Sequence, residues 1–329
     1  MPAHFLATKA LEKLLSLLRK QGELHAPQRG DDGVLRFALL KAGDSPDLDA
    51  LRTQLPPKKY LLHPRETILT YRAGSGYQEP QGRSSPLILF GVHPCDLAGI
   101  DYLDRLFLGD APDPTYAARR AALTLIGLSC FPDNLCSCHL HPSTLKASCD
   151  LYLQRQEEGF VITSGSLQGT ELLEKLKEII EERDLPIPED TRRFFGRQLP
   201  PPSQSELDAA MPDWQELANH CLGCGACSIC CPTCACFDVL EFGGLDGSSS
   251  ERLRCWDNCL FKSHAEVAGG MSFQKNRAER FRYRYRHKYR GFGQLKNIPS
   301  CVGCGRCRAA CPAGLDLRTL AERLERGNP

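Results

Sequence analysis

The apolar positions in the first half of the chain predict alternating helices and strands. Residues 6–20 place apolar side chains three and four positions apart, which is the spacing of an amphipathic helix. Two short apolar runs, 87–92 and 121–128, have the length and composition of buried strands. Residues 151–164 indicate a hairpin, and residues 171–183 indicate another helix. This alternation is typical of an α/β or α+β domain.

A turn and a helix are expected after the first apolar run. His93 to Asp96 predict the turn, and Asp96 is the expected helix cap. The apolar face of the helix is predicted to consist of Leu97, Ile100, Leu103 and Phe107.

Proline-rich stretches between residues 184 and 212 predict a linker. We therefore expect an N-terminal domain of α+β (or α/β) class over residues 1–200. A second, mainly helical domain is expected over residues 213–329, where most of the cysteines lie.

The amino-acid composition indicates what kind of chemistry the cysteines of the chain support. The chain has 18 cysteines in 329 residues and a net charge of +1. A chain of this length can bury a sizeable core without disulfides. Its first residues do not show the charged-then-apolar pattern of a signal peptide, so none is expected, and no apolar stretch is long enough to span a membrane. We expect a soluble, cytoplasmic protein whose reduced thiols are available to a metal.

Two cysteine runs share one spacing, C-x2-C-x2-C-x3-C-P. The first consists of Cys221, Cys224, Cys227 and Cys231, and the second of Cys301, Cys304, Cys307 and Cys311. This run binds cubane iron–sulfur clusters, and in two-cluster ferredoxins the fourth cysteine ligates the other cluster. The spacing predicts two [4Fe–4S] clusters. One is assigned to Cys221, Cys224, Cys227 and Cys311, and the other to Cys301, Cys304, Cys307 and Cys231.

The alternative is a pair of structural zinc sites, because CxxC pairs also suit zinc. Zinc requires neither the third CxxC step nor the trailing prolines, Pro232 and Pro312, and both features occur twice. The pattern therefore favours iron–sulfur clusters. Gly225 and Gly305 are expected to let the backbone approach the sulfides.

Four further cysteines lie in the first domain, where they could hold a third [4Fe–4S] cluster. Cys95 and Cys130 each follow a predicted buried strand, at the end of the sheet where ligands bind in open α/β folds. Cys136 and Cys138 follow in the same loop as Cys130. The alternative is that these thiols are small buried apolar groups.

A second group of cysteines, Cys234, Cys236, Cys255 and Cys259, lies between the two runs. These residues could hold a further metal centre or line the surface around the clusters. Cys149 and Cys230 are interpreted as structural.

Residues 275–290 contain eight Lys or Arg residues against one Glu, with four aromatic residues interleaved. Such a segment could bind nucleic acid. A cubane with four thiolates is negatively charged, however, and nearby cations tune its potential. Compensation of cluster charge, or contact with another protein chain of a complex, is the favoured interpretation.

With these motifs in place, the chain resembles the iron–sulfur beta subunits of cytoplasmic sulfhydrogenases and the related iron–sulfur subunit of anaerobic sulfite reductase. The resemblance covers most of the chain from about residue 60 onward. The matching segments are 91–96, 103–107, 113–120, 130–138, 221–239, 254–259, 268–270, 277–282, 287–288 and the final cysteine run. The chain departs from the family pattern at His93, at the segment that follows Cys138, and at the additional Cys149, Cys230 and Cys255.

The resemblance implies an electron-transfer subunit with a helical two-cluster ferredoxin domain. Its implied partners are a subunit that binds flavin and NAD(P), together with a catalytic module, either a nickel–iron hydrogenase or a sulfite-reducing subunit. The chain itself lacks a GxGxxG fingerprint for a dinucleotide. No catalytic residue is assigned, and neither nucleic acid nor a membrane is an expected partner.

An autonomous reductase is the alternative from a different functional class. Its substrate would lie near Cys95, Asp96 and His93 in the first domain.

Overall fold

The computed structural model describes residues 3–79, 85–138, 149–183, 211–296 and 298–316. The chain forms two compact units. The first comprises Met1–Leu61, Arg83–Gln198 and Val302–Cys304. The second comprises Leu62–Gly82, Leu199–Cys301 and Gly305–Pro329. The predicted linker over residues 184–212 lies almost wholly outside the described residues.

The described residues contain twelve strands and nine α-helices. The strands are β1 (Ala3–Ala7), β2 (Glu23–Arg29), β3 (Leu35–Leu39), β4 (Arg65–Arg72), β5 (Gly76–Gln78), β6 (Leu87–Val92), β7 (Leu123–Leu128), β8 (Leu151–Arg155), β9 (Gly159–Ser164), β10 (Glu181–Arg183), β11 (Phe237–Gly243) and β12 (Ser249–Trp256). The helices are α1 (Leu11–Arg19), α2 (Lys58–Leu61), α3 (Pro94–Phe107), α4 (Pro114–Ala121), α5 (Leu167–Lys175), α6 (Met211–His220), α7 (Ala226–Ile229), α8 (Arg277–Arg290) and α9 (Arg306–Ala309).

An eight-stranded sheet organises the first unit, in the order β10-β1-β9-β8-β7-β6-β2-β3. The neighbours β2 and β6, β6 and β7, and β7 and β8 pair in parallel, and the remaining pairs are antiparallel. Leu14, Leu15 and Leu18 of α1 are buried against strand residues such as Ile88 and Ile126. The mixed helix-and-strand class predicted for this part of the chain is confirmed.

Several predicted elements occur where the sequence places them. Strand β6 coincides with residues 87–92, β7 covers most of 121–128, and β8 and β9 form the predicted hairpin. The four apolar residues predicted to form one face of α3 are all buried: Leu97, Ile100, Leu103 and Phe107.

Three local predictions are wrong. Residues 6 and 7 belong to β1, which pairs with β9 and β10, so the helix begins only at Leu11. The helix predicted over 171–183 is α5, which ends at Lys175, and residues 181–183 pair with β1. Distant strand partners override the local helical pattern in both places.

The third wrong prediction concerns the start of α3. Its N-cap is His93, and Pro94 occupies the first turn, where the missing N–H and fixed φ of proline are favourable. Asp96 lies inside the first turn instead of capping the helix.

The second unit combines helices with a four-stranded antiparallel sheet, in the order β11-β12-β4-β5. A buried ion pair crosses this sheet, in which the Nε of Arg254 donates to Oε1 of Glu66 over 2.8 Å. The sequence pattern does not predict this sheet, so the region from residue 213 contains strands as well as the expected helices. Helix α8 packs against α6, with Phe281 and Tyr285 beside the fully buried Trp214.

In the part of the chain that the structure describes, no helix has both the length and the apolar character needed to cross a membrane.

Candidate metal centres

A recess in the second unit gathers the three leading cysteines of the first run with the last cysteine of the second. Cys221, Cys224, Cys227 and Cys311 all line it, and Cys307 lies at its wall. The empty space, counted with its open mouth, is about 490 Å³. This is the grouping that crossed ligation predicts from the spacing alone.

The two runs fold in the same way locally. Gly223 and Gly225 in the first run, and Gly303 and Gly305 in the second, have φ values between 64° and 77°. Glycine tolerates this left-handed conformation at little cost. A Cβ atom on Gly225 would also lie 2.0 Å from the side-chain amide of Asn258. Each glycine pair leads into a short helix, α7 or α9, that carries the third cysteine of its run.

Backbone N–H groups approach the sulfurs in both runs. The Gly223 N–H lies 3.3 Å from the sulfur of Cys221, and the Leu315 N–H lies 3.4 Å from that of Cys311. N–H donors of this kind stabilise thiolate ligands and tune the potential of a bound cluster.

Cys231 and Cys301 belong to adjoining segments of the second unit. The hydroxyl of Thr233 donates to the Ser300 carbonyl over 2.6 Å, and the Cys301 N–H donates to the Lys288 carbonyl over 3.0 Å. The segment of Cys231 therefore lies beside that of Cys301. Cys304 is buried and falls in the first unit, where the neighbouring Gly303 carbonyl accepts from the Ser137 N–H.

Two buried cations on α8 face these thiols. Arg284 donates to the Cys227 carbonyl over 2.7 Å and lies 3.4 Å from the sulfur of Cys234. Lys288 donates to Thr233 over 2.8 Å. Both side chains are at most 5 % exposed, and among the described residues neither forms an ion pair with a carboxylate. Burial alone would lower the pKa of Lys288, but the thiolates of Cys231 and Cys234 raise it above its usual value.

These residues fit an anionic iron–sulfur cluster. A buried cation without a counter-ion is strongly destabilising. The Nε of Arg284 also has no hydrogen-bond partner among the described residues. A cubane held by four thiolates carries negative charge, so it would supply the missing counter-ion at the recess that Arg284 lines.

The first unit also brings its four predicted cysteines together. Burial, followed by the charges of Cys136 and Asp96, raises the pKa of the Cys130 thiol to about 12. A hydrogen bond joins the Cys136 and Cys138 thiols, and Cys138 interacts electrostatically with both Cys95 and Cys130. A guanidinium nitrogen of Arg52 lies 3.6 Å from the Cys136 sulfur.

The remaining predicted cysteines separate into three groups. Cys234, Cys236 and Cys259 line a second recess in the second unit. Cys255 lies on β12, opposite Asp238, and is not among the residues that line this recess. Cys149 and Cys230 are buried, in keeping with a structural role.

His93, one of the residues named for a substrate site in the first unit, is held by the backbone. Its Nδ1 is 3.1 Å from the Leu128 carbonyl, and its Nε2 is 2.7 Å from the Ala50 carbonyl. Both ring nitrogens of this buried side chain thus lie within hydrogen-bonding distance of backbone carbonyls, so His93 connects two backbone segments.

Comparison with known proteins agrees with this arrangement. Residues 220–315 match the family described as "4Fe-4S dicluster domain". The chain is 33% identical over 321 residues to sulfhydrogenase 2 subunit beta of Pyrococcus furiosus, and the alignment covers 94% of each chain. The chain belongs to the sulfhydrogenase beta-subunit family. No solved structure is significantly similar to it.

The dicluster match in this sulfhydrogenase beta-subunit family member spans both cysteine runs and the whole of α8. Two [4Fe–4S] clusters are thus the cofactors of the matched region. The matched region also includes β11 and β12, so these strands are part of the cluster-bearing segment.

The sequence pattern did not single out the buried cations Arg284 and Lys288 beside the thiols, because residues 275–290 read as one basic segment. The burial of Phe281, Arg284, Tyr285 and Lys288 follows helical spacing, so one face of α8 is buried and includes two cations. A helical projection of this segment could have shown the pattern, because the two cations share a face with the aromatic residues.

Proposed function

We propose that the chain is the electron-transfer iron–sulfur subunit of a sulfhydrogenase. It would relay electrons between a flavin- and NAD(P)-binding protein and a nickel–iron hydrogenase module. When bound, each cluster accepts and releases one electron. The residues of the chain hold the clusters, compensate their charge and exclude water from them.

The observation that carries this proposal is the recess that Cys221, Cys224, Cys227 and Cys311 share. A crossed ligand set holds two clusters in one folded segment, which suits a relay. Around the recess, Leu260, Phe281 and Leu315 supply apolar walls. Arg284 places a buried positive charge at the wall, which favours the more negative, reduced state of the bound cluster.

The proposal includes a division at the sequence linker, with an α/β domain over residues 1–200 and a two-cluster domain over residues 213–329. The segment that contains β4 and β5 then pairs with strands of the second domain although it lies within the first domain's sequence range.

A third [4Fe–4S] cluster in the first domain is part of the proposal, ligated by Cys95, Cys130, Cys136 and Cys138. The hydrogen bond between the Cys136 and Cys138 thiols and the electrostatic interaction of Cys138 with Cys95 and Cys130 support it. Arg52, which is ion-paired with Asp133, also lies beside the Cys136 sulfur. Cys130→Ala in the anaerobically loaded chain should lose about four iron atoms if this cluster is present and none if it is absent.

The partners are tested by isolating the complex anaerobically from its native source. We expect nickel and a flavoprotein to copurify with the chain. Siroheme in place of nickel would show that the chain belongs to a sulfite-reducing complex instead. A complex that contains neither would contradict the relay proposal.

Electron transfer is tested on the purified, iron-loaded chain. Reduced chain alone should turn over neither protons, sulfite nor polysulfide, because the proposal assigns it no catalytic residue. Mixing the oxidised chain with its reduced flavoprotein partner should bleach the iron–sulfur absorbance. Turnover by the chain alone would support the autonomous reductase instead.

A further inference from the structure

A second recess in the second unit is lined by three cysteines that belong to neither ferredoxin run. Cys234, Cys236 and Cys259 line it together with His264. The empty space, counted with its open mouth, is about 750 Å³, which is larger than the recess at the first run. The two assigned clusters leave these three thiols without a function.

The backbone fixes the positions of these cysteines. The Asp257 N–H donates to the Cys236 carbonyl over 3.0 Å, which ties the two cysteine-bearing segments together. The buried Asn258 side chain donates to the Gly225 carbonyl over 2.7 Å and accepts from the Leu260 N–H over 2.9 Å. These bonds hold Cys259 beside Cys236, and the two thiols are hydrogen-bonded to each other.

His264 has the arrangement of a metal-bound histidine. Its Nδ1 is hydrogen-bonded to the carboxylate of Asp257. Metal-binding histidines commonly donate one ring N–H to a carboxylate, which fixes the tautomer and leaves the other nitrogen to bind the metal. In His264 this leaves Nε2 as the ligand atom, on a side chain that lines the recess.

The walls of the recess are positively charged. Lys288 and Arg284 line it, and both are buried without a carboxylate partner among the described residues. Arg284 is shared with the recess at the first run, but Lys288 lines only this one of the two. Lys288 also interacts with Cys231 and Cys301 of the second run, so an anionic group in this recess would share both cations with the ferredoxin clusters.

We propose that this recess holds an additional iron–sulfur cluster, ligated by Cys234, Cys236, Cys259 and the Nε2 of His264. A single ion does not suit the described side chains, because no three of their Cys, His, Asp or Glu residues are placed to hold one. The same is true of the four cysteines that line the first recess, which lie in the region that matches the 4Fe-4S dicluster family. This centre goes beyond the relay and does not depend on which partners the chain has.

The centre adjoins the second run. Cys234 is hydrogen-bonded to Cys231, the crossed ligand assigned to Cys301, Cys304 and Cys307. The additional cluster would therefore lie next to one relay cluster. With a histidine ligand, its potential is expected to be higher than that of an all-cysteine cluster, as in Rieske centres.

The test compares Cys259→Ala with Cys255→Ala in the full, anaerobically loaded chain. Cys255 is a nearby half-exposed cysteine outside the recess, which makes it a matched control. We expect Cys259→Ala to lose about four iron atoms and an equal number of sulfide ions, and Cys255→Ala to lose neither. Unchanged iron and sulfide in Cys259→Ala would overturn the proposal. So would the loss of zinc without sulfide.

A second variant shows whether iron loss in Cys259→Ala reflects misfolding instead of the loss of a ligand. His264→Cys should keep the iron, lower the midpoint potential of one cluster, and abolish the nitrogen coupling in its pulsed paramagnetic-resonance spectrum. A wild-type spectrum without nitrogen coupling would exclude His264 as a ligand and overturn the ligand set. Failure of the relay proposal would be recognised separately, because the clusters of the two runs would then be missing from the wild-type chain and from Cys255→Ala alike.

Discussion

The interiors of the two units differ in composition and in what stabilises them. The core of the first unit consists of leucine, isoleucine and phenylalanine side chains between a sheet and its helices. The core of the second unit places Trp214, Phe281 and Tyr285 next to Cys221, with the buried cations Arg284 and Lys288 close by. Burial of apolar area stabilises the first kind of core unaided. The second requires a bound anion to offset its charges.

Removal of metal should separate the two units most clearly. Anaerobic extraction of iron and sulfide leaves Arg284 and Lys288 buried without their counter-ion. Amide hydrogen exchange in α6 and α8 should accelerate by about 100-fold or more, because metal binding and folding are coupled there. Exchange in β6 and β7 should change little. Equal acceleration in both units would contradict the claim that only the second core requires a bound anion.

Arg284→Met tests the buried cation without removing a ligand. Breaking a buried charge pair costs about 3–5 kcal/mol, and we expect a loss in that range from the anaerobic urea unfolding of the loaded chain. Arg286→Met is the matched control, because Arg286 is exposed on the same helix. Its effect should stay within about 0.5 kcal/mol. Equal effects of the two variants would mean that the Arg284 charge has no bound partner.

Leu14→Ala tests the apolar core of the first unit. Leu14 is fully buried in α1, and truncation of such a leucine costs about 2–5 kcal/mol. The loss should appear in the unfolding of the first unit, with the iron content unchanged. Lys13→Ala, at the neighbouring exposed position, is the control and should have little effect. Loss of iron in Leu14→Ala would show that the clusters depend on this core.

The smallest expected effect is at the start of α8. Asn276 caps this helix by accepting from the Glu279 N–H over 2.9 Å. Asn276→Ala should destabilise the loaded chain by about 1 kcal/mol, and Asn276→Asp should restore most of the loss. Paramagnetic-resonance spectra should not change in either variant. A large loss of iron in Asn276→Ala would mean that the cluster region tolerates no fraying of α8.

The parts of the fold that could be predicted are those determined by residues close together in the sequence. Strands β6 and β7 could be predicted because they are short and almost wholly apolar. Strand β1 could not, because its partners β9 and β10 lie more than 150 positions away in the sequence. The sheet of the second unit has the same origin, since β4 pairs with β12 across a long separation that local patterns do not encode.

The candidate site also has a part that could be predicted from the sequence and a part that could not. Cysteine spacing alone predicted the group of Cys221, Cys224, Cys227 and Cys311, because the geometry of a cubane imposes that spacing. Spacing says nothing about the His264–Asp257 pair or about which basic residues of α8 are buried. The burial of the basic residues depends on how α8 packs on α6, and tertiary contacts decide that packing.

Crossed ligation is tested most directly by Mössbauer spectroscopy and paramagnetic resonance on three single variants of the anaerobically loaded chain. We predict that Cys311→Ala and Cys224→Ala each lose about four iron atoms and the same cluster signal, whereas Cys301→Ala loses the other signal. Loss of one common signal from Cys311→Ala and Cys301→Ala, with Cys224→Ala different, would contradict the crossed arrangement. A wild-type chain without iron would contradict the whole account.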